Sequence, residues 1–185
     1  SDRGPFNSFG FAVAISGNTV VIGDKTAVHD TDGDGRLEQN VGAAYIFERN
    51  QGGPDNWGEV KKLVPSDAGF GSFFGASVTI SGDVVVVGTA GAREQVYVFG
   101  RNRGGPNNWG EVKIVTNSDS DGFEGFGNQL ALSGDTLVVG APRKDVDTNN
   151  DGSIDEFDVG AAYIFQKDQG GKGNWGEVKK LTARD

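Results

Sequence analysis

The chain has 185 residues, 31 of them glycine and 5 proline, with an ordinary apolar share of 36%; this allows one domain or two and is not the composition of a collagen-like or disordered polymer. A net charge of −9 argues against a partner made of nucleic-acid phosphates, and no apolar run approaches membrane-spanning length. Cysteine is absent, which excludes a disulfide framework and any thiolate metal site. The chain opens without methionine or a signal-peptide pattern, as expected of a mature chain or an excised piece.

One stretch organises the rest. It begins at Phe9-Gly10, Phe74-Gly75 and Phe126-Gly127, and the three copies align without a gap through Gly23, Gly88 and Gly140. Self-similarity at a period of tens of residues indicates a repeat architecture. In chain order, each copy opens with a strand in which large apolar residues (Val13 and Ile15, Val78 and Ile80, Leu130 and Leu132) alternate with small or polar ones, the period of a strand. Ser-Gly-Asn or Ser-Gly-Asp supplies a tight turn. A β-branched run follows, Val20-Val21-Ile22, Val84 to Val87 and Leu137-Val138-Val139, apolar on both faces as befits a strand between neighbouring sheets. The third strand is expected at 43–47, 96–99 and 161–165. After a Gly-Gly hairpin, Trp-Gly-Glu-Val-Lys forms the fourth, starting at Trp57, Trp109 and Trp175. Its lysines and glutamates mark it as an exposed sheet edge.

Four short antiparallel strands per repeat, with no helical periodicity, give an all-β fold of β-propeller blades. The blades span 1–65, 66–117 and 118–185. Three are too few for a closed propeller, so the array is either part of a larger propeller or completed by oligomerisation, because an open arc leaves a large apolar face at each end.

Phe-Gly at the start of each blade and Gly140-Ala141-Pro142 at the close of the third resemble the FG-GAP repeat of integrin α-subunit propellers and of bacterial surface proteins. The closing motif is degenerate in the other copies, Gly88-Thr89-Ala90 and Gly23-Asp24-Lys25. The Ser-Gly-Asp turn and the tryptophan of the fourth strand resemble the bacterial branch. The resemblance implies an extracellular or cell-surface protein that binds a protein or glycan ligand on its loop-bearing face. One departure is clear. Integrin-type repeats usually carry the calcium loop between the first and second strands, whereas here the acidic loops lie between the second and third.

Those loops are the candidate metal sites. In the third repeat Asp147, Asn149, Asp151, Asp155 and Asp158 fall at positions 1, 3, 5, 9 and 12 of a twelve-residue loop; Gly152 is at position 6, and Ser153 offers its carbonyl at 7. This is the EF-hand spacing, in which alternate residues of a coiling loop converge on one centre and glycine permits the sharp turn. The first repeat places Asp30, Asp32, Asp34 and Glu38 at positions 1, 3, 5 and 9, with the Arg36 carbonyl at 7. Val41 occupies position 12, so Glu38 or water must complete the shell. Two Ca2+ ions are expected, in loops without flanking helices; the bland reading is a solvated loop of Asx turns. The second repeat has no such loop.

Other candidates are weaker. His29, the single histidine, has no nucleophile beside it and reads as an exposed loop residue. The spacing of the acidic pairs suits metal ligation better than glycoside hydrolysis. The tryptophans are expected to pack against the Gly-Gly hairpins rather than stack on sugars, and Phe6, Phe70, Phe73 and Phe123 to wedge between blades. The expected function is therefore non-catalytic: a calcium-binding, extracellular propeller segment for adhesion or ligand recognition. The alternatives are a subunit that assembles through its exposed blade faces into a ring or fibre, and an accessory propeller of a larger secreted enzyme.

Overall fold

The computed structural model describes residues 7–31, 33–91, 93–120, 122–147, 154 and 156–183. Among them the regular structure is entirely strand, and no helix is long and apolar enough to cross a membrane. Strands β1 (Ala12–Ser16), β2 (Thr19–Asp24), β3 (Ala43–Arg49) and β4 (Trp57–Leu63) form the first sheet. The second contains β5 (Ser77–Ser81), β6 (Val84–Gly88), β7 (Val96–Gly100) and β8 (Gly110–Val115). The third contains β9 (Gln129–Ser133), β10 (Thr136–Ala141), β11 (Ala161–Lys167) and β12 (Trp175–Leu181). Each is an antiparallel meander in chain order. The sheets stand side by side, β1 against β5 and β5 against β9, as propeller blades do, and they do not close a ring.

Local chemistry sets the register. Ser16 pairs with Thr19, which leaves Gly17-Asn18 as a two-residue turn, and only its first residue has positive φ (Gly17, 57°). A glycine at that place is what a type II′ hairpin requires. Gly82 and Gly134 repeat it at 55° and 56°. One feature is not visible in the sequence pattern: the β3–β4 register slips between Ile46 and Phe47, and the same bulge recurs at Val98/Phe99 and Ile164/Phe165. Such a bulge bends and twists the outer strand locally.

The packing order is written in the burial of the second strands. In β6, Val85, Val86 and Val87 are all fully buried, so both of its faces are covered. Of the three apolar residues in the middle of β2 only Val21 is buried, and Val20 and Ile22 are half exposed; in β10 Leu137 and Val139 are buried, and Val138 is half exposed. The phases are opposite because each terminal sheet lacks a different neighbour. We call the face toward the preceding sheet the front and the other the back. Among the described residues a small cluster of Ala27, Ala43 and Tyr45 belongs to the first sheet and its loop stem, and two larger hydrophobic cores join neighbouring sheets. One joins Val21, Ala44, Ile46 and Leu63, on the back of the first sheet, to Phe74, Val85, Tyr97 and Trp109, on the front of the second. The other joins Val86, Val98 and Val115 to Phe126, Leu137, Tyr163 and Trp175 in the same way.

Two expectations are corrected here. Phe70 and Phe123 do not wedge between sheets: both are exposed, and Phe73 is only half buried. Phe6 lies outside the described residues. The wedge is the phenylalanine that opens each first strand, Phe74 or Phe126, stacked edge-on against Tyr97 and Phe99 or against Tyr163 and Phe165. The tryptophans likewise pack across a junction rather than only on their own hairpin. Trp109 and Trp175 are 1% and 3% exposed, whereas Trp57, with no sheet in front of it, is 40% exposed.

Candidate metal centres and the sheet junctions

Both acidic connections rise from the same stem. β2 ends in buried Asp24, whose Oδ1 accepts the Ser8 amide at 2.8 Å and the Thr26 amide and hydroxyl at 3.2 Å, so this carboxylate serves the stem. Gly42 N then bonds Ala27 O at 2.9 Å, and His29 and Glu38 exchange backbone hydrogen bonds of 2.9 and 3.3 Å. After β10 the arrangement recurs. Gly160 N bonds Lys144 O at 3.0 Å, and Val146 pairs with Glu156 at 2.9 and 3.1 Å. An aspartate stands immediately inside each neck, Asp30 in one and Asp147 in the other.

Within the first loop, Asp30 is a hub. Its Oδ1 accepts Gly33 N at 2.7 Å and its Oδ2 accepts Gly35 N at 3.0 Å, which curls the loop around the carboxylate. Gly33 and Gly35 take φ of 79° and 85°, the left-handed backbone this curl demands. Asp34 Oδ1 accepts Arg36 N at 2.8 Å. Glu38 Oε2 accepts the amide and hydroxyl of Thr31 at 2.7 and 2.9 Å, and these bonds, the amide first, hold its carboxyl below the usual carboxylate range. Each carboxylate oxygen has two lone pairs, so one accepted hydrogen bond leaves capacity for a cation. Asp32 lies outside the described residues, and among the described residues no three acidic or histidine side chains gather closely enough to hold an ion.

In the third loop Asn149, Asp151, Ser153 and Asp155 lie outside the described residues; Asp147 and Asp158 are described. Asp158 sits two residues past the neck, its amide bonded to Asp145 Oδ1 at 2.8 Å and its φ at 53°. Asn40 occupies the same place after the first neck, with φ 56°. Asn and Asp tolerate this left-handed conformation, which gives Asp158 a backbone reason to be there. Sequence spacing missed Glu156. The neck pairing makes it the counterpart of Glu38, a match hidden because the third loop is one residue longer.

The stem of the first loop also seals a junction. Gly71 N, Phe73 N and Phe74 N bond the carbonyls of Gln39, Asn40 and Val41 at 3.3, 2.9 and 3.0 Å, and Gly42 bridges to Phe74 in parallel. The acidic loop is therefore tied at its base to the segment leading into the next sheet. The short connection after β6 lacks those carbonyls. There Glu94, buried and at φ 43°, uses Oε1 to accept Gly125 N at 2.6 Å, a side chain standing in for the missing backbone. Sequence reasoning did not single out Glu94.

The outer strands carry a latch of their own. Ser66, on the link from the first sheet, gives its amide and hydroxyl to Glu111 of β8 at 3.1 and 2.8 Å. Ser118 does the same with Glu177 of β12 at 2.9 and 3.0 Å. The glutamate of Trp-Gly-Glu-Val-Lys thus fastens the incoming link as well as protecting an edge. One residue on, Asp67 and Asp119 meet the hydroxyls of Tyr97 and Tyr163 at 2.6 and 2.7 Å.

Residues 1–47, 57–99 and 109–165 match the family model described as the FG-GAP repeat. The chain belongs to the FG-GAP repeat family. No curated protein matches it. The glycines of the FG-GAP motif have a visible duty here. Within each sheet the amide of the Phe-Gly glycine bonds the carbonyl of the closing glycine, Gly10 to Gly23, Gly75 to Gly88 and Gly127 to Gly140, each at 3.1 Å. Across each junction the same glycines meet again. A Cβ on Gly23 would overlap Gly75 O, and one on Gly88 would overlap Gly127 O. The FG-GAP spacing therefore places two side-chain-free backbones at the point of closest approach between sheets.

Proposed function

We propose that this chain is a non-catalytic, calcium-binding segment of an extracellular β-propeller, and that the end of the sheets bearing the acidic loops recognises a protein or glycan ligand. The observation that carries the reading is the shared neck with an aspartate just inside it, Asp30 being already ringed by the glycine amides of its own loop. Asp30, Asp32, Asp34 and Glu38, with the Arg36 carbonyl, would hold one Ca2+. Asp147, Asn149, Asp151 and Asp155, with the Ser153 carbonyl and Glu156 at the neck, would hold the other. Hard carboxylate and carbonyl oxygens suit calcium, and extracellular modules bind it at about 10⁻⁴–10⁻³ M. The ion would stabilise an acidic loop that has no core of its own, and so would shape the surface offered to a ligand. FG-GAP repeats are common in surface and adhesive proteins, which supports the location and the recognition role.

Thermal unfolding with calcium and with chelator tests this. At a calcium concentration about 100 times Kd the linkage is about 2.7 kcal/mol per site. In a domain of this size that corresponds to a rise of several degrees in Tm, at about 2–4 °C per kcal/mol. Asp30→Ala and Asp147→Ala should each remove part of the rise. A Tm indifferent to calcium in the unmodified protein would defeat the proposal.

A further inference from the structure

The second junction holds a buried polar pair that the first does not have. Carrying the Val96–Val115 pairing two residues further along each strand sets Glu94 opposite Asn117. The same step from Ala44 and Leu63 in the first sheet reaches Gly42 and Pro65. Gly42, Glu94 and Gly160 occupy one place in the repeat, and all three take left-handed backbone, with φ of 84°, 43° and 80°. Glycine adopts that backbone without steric cost, so a glutamate there is strained and must be held by its side chain's contacts. Two departures from the repeat therefore fall side by side, in the copy whose connection carries no acidic loop.

Both side chains are buried, Glu94 at 7% exposure and Asn117 at 6%. Each spends one end on the lead-in to the third sheet. Glu94 Oε1 accepts Gly125 N at 2.6 Å, and Asn117 Nδ2 donates to Glu124 Oε2 at 2.7 Å and to the Tyr163 hydroxyl oxygen at 3.3 Å. A carboxylate only accepts, so Glu124 fixes which way the Asn117 amide faces. Each residue is left with one buried oxygen, Glu94 Oε2 and Asn117 Oδ1, that accepts no hydrogen bond from the described residues. Donors in the same cluster are directed elsewhere. Lys144 Nζ donates to Asp119 O and to Glu124 Oε1, both at 2.5 Å, and the Tyr163 hydroxyl to Asp119 Oδ1 at 2.7 Å. A buried acceptor left unmet is costly, and native proteins carry few of them.

We infer that Glu94 and Asn117 bind one internal water molecule, which donates one hydrogen to Glu94 Oε2 and the other to Asn117 Oδ1. Two acceptors that lack a donor call for a small ligand with two donors, which is what water supplies. Two oxygens fall far short of the roughly six to eight that calcium takes, so this site is separate in kind from the acidic loops. The water joins the connection after β6 to the link after β8, and both are already bonded to Glu124 and Gly125. It completes at this junction the seal that the carbonyls of Gln39, Asn40 and Val41 make at the first.

A high-resolution crystal structure of the full chain, grown with calcium, tests the site. The expected result is a single oxygen peak at about 2.5–3.0 Å from both Glu94 Oε2 and Asn117 Oδ1, without anomalous scattering. No peak there would overturn the inference. So would a peak with calcium's anomalous signal, or the two oxygens lying within about 2.5–3.0 Å of each other and sharing a hydrogen directly. In solution, Glu94→Gly and Asn117→Pro restore the residues of the first junction. One water shared by the pair makes their effects non-additive: the second replacement should lower the urea midpoint much less once the first is in place. Equal midpoint shifts in both backgrounds would also overturn it.

Discussion

Phe9, Phe74 and Phe126 are the same residue three times, and only their neighbours differ. Each makes two edge-on ring contacts within its own sheet, at 5.4 and 6.1 Å for Phe9, 5.3 and 6.0 Å for Phe74, and 5.6 and 6.1 Å for Phe126. Those terms therefore cancel in a comparison of truncations. What remains is burial against the preceding sheet. Phe74 and Phe126 are 0% exposed, and Phe9 is 53% exposed. Phe74→Ala and Phe126→Ala should each cost about 3–5 kcal/mol, since a cavity is left between two sheets. Phe9→Ala should cost about 1–1.5 kcal/mol, roughly half the ~1.5–3 kcal/mol of full burial, and water fills the gap at no cavity cost. Urea unfolding of the monomer reads this directly. With a slope of about 2 kcal/mol per molar, the midpoint should fall by about 1.5–2.5 M for the two inner residues and by well under 1 M for Phe9. Equal losses at Phe9 and Phe74 in the monomer would refute the assignment of front and back faces.

The remaining predictions follow from particular contacts. Gly88→Ala should destabilise by about 1–3 kcal/mol because its Cβ would strike Gly127 O, whereas Gly140→Ala, whose Cβ would meet Gln129 of its own sheet no closer than 3.3 Å, should cost under about 1 kcal/mol; chemical denaturation compares the two. Lys144 Nζ lies 2.5 Å from Glu124 Oε1, and both side chains are buried; Lys144→Met should lose about 3–5 kcal/mol by stranding the carboxylate, and adding Glu124→Met should recover part of the loss. Burial first, and then the bonds to Asp67 and Asp119, push the Tyr97 and Tyr163 hydroxyls far up. A pKa raised by folding gives stability that is whole below the unfolded value near 10 and declines as pH rises past it, so ionisation of these tyrosines, followed by ultraviolet absorbance, should coincide with alkaline unfolding. Asp119 runs the other way: burial would raise its carboxyl, but the hydrogen bonds from Lys180 and Tyr163 and the nearby Lys144 charge outweigh it and hold it low. Its contribution is present above an unfolded value near 4 and is lost as pH falls through the depressed folded value, so Asp119→Asn should flatten the acid limb of the stability profile.

Strand placement was legible in the sequence because period-2 alternation, the Ser-Gly-Asp turn and the β-branched second strand all point to one local structure. The order of the sheets was not, since Val20-Val21-Ile22 and Val84 to Val87 look alike until a neighbour covers one face or both. Phe6, Phe70, Phe73 and Phe123 cluster ahead of the first strands, so the sequence pattern points to them as the wedge. Backbone direction decided otherwise: Phe123 and Phe73 take φ of 62° and 49°, and the chain turns so that the following Phe126 and Phe74 enter the core. The acidic loops were found by spacing alone, which assigned Asp155 and Asp158 but passed over Glu156, because pairing across a neck is a long-range fact. Glu94 and the Ser66 to Glu111 latch were invisible for the same reason. Each answers a partner on another sheet, and no local pattern encodes that.

Calorimetric titration of calcium into the chelator-stripped protein tests the central functional claim most directly. The account predicts heat from two sites per chain in the 10⁻⁴–10⁻³ M range, roughly that of extracellular modules, reduced to one site by Asp30→Ala or by Asp151→Ala. Absence of binding heat at millimolar calcium, with the fold intact by circular dichroism, would contradict it.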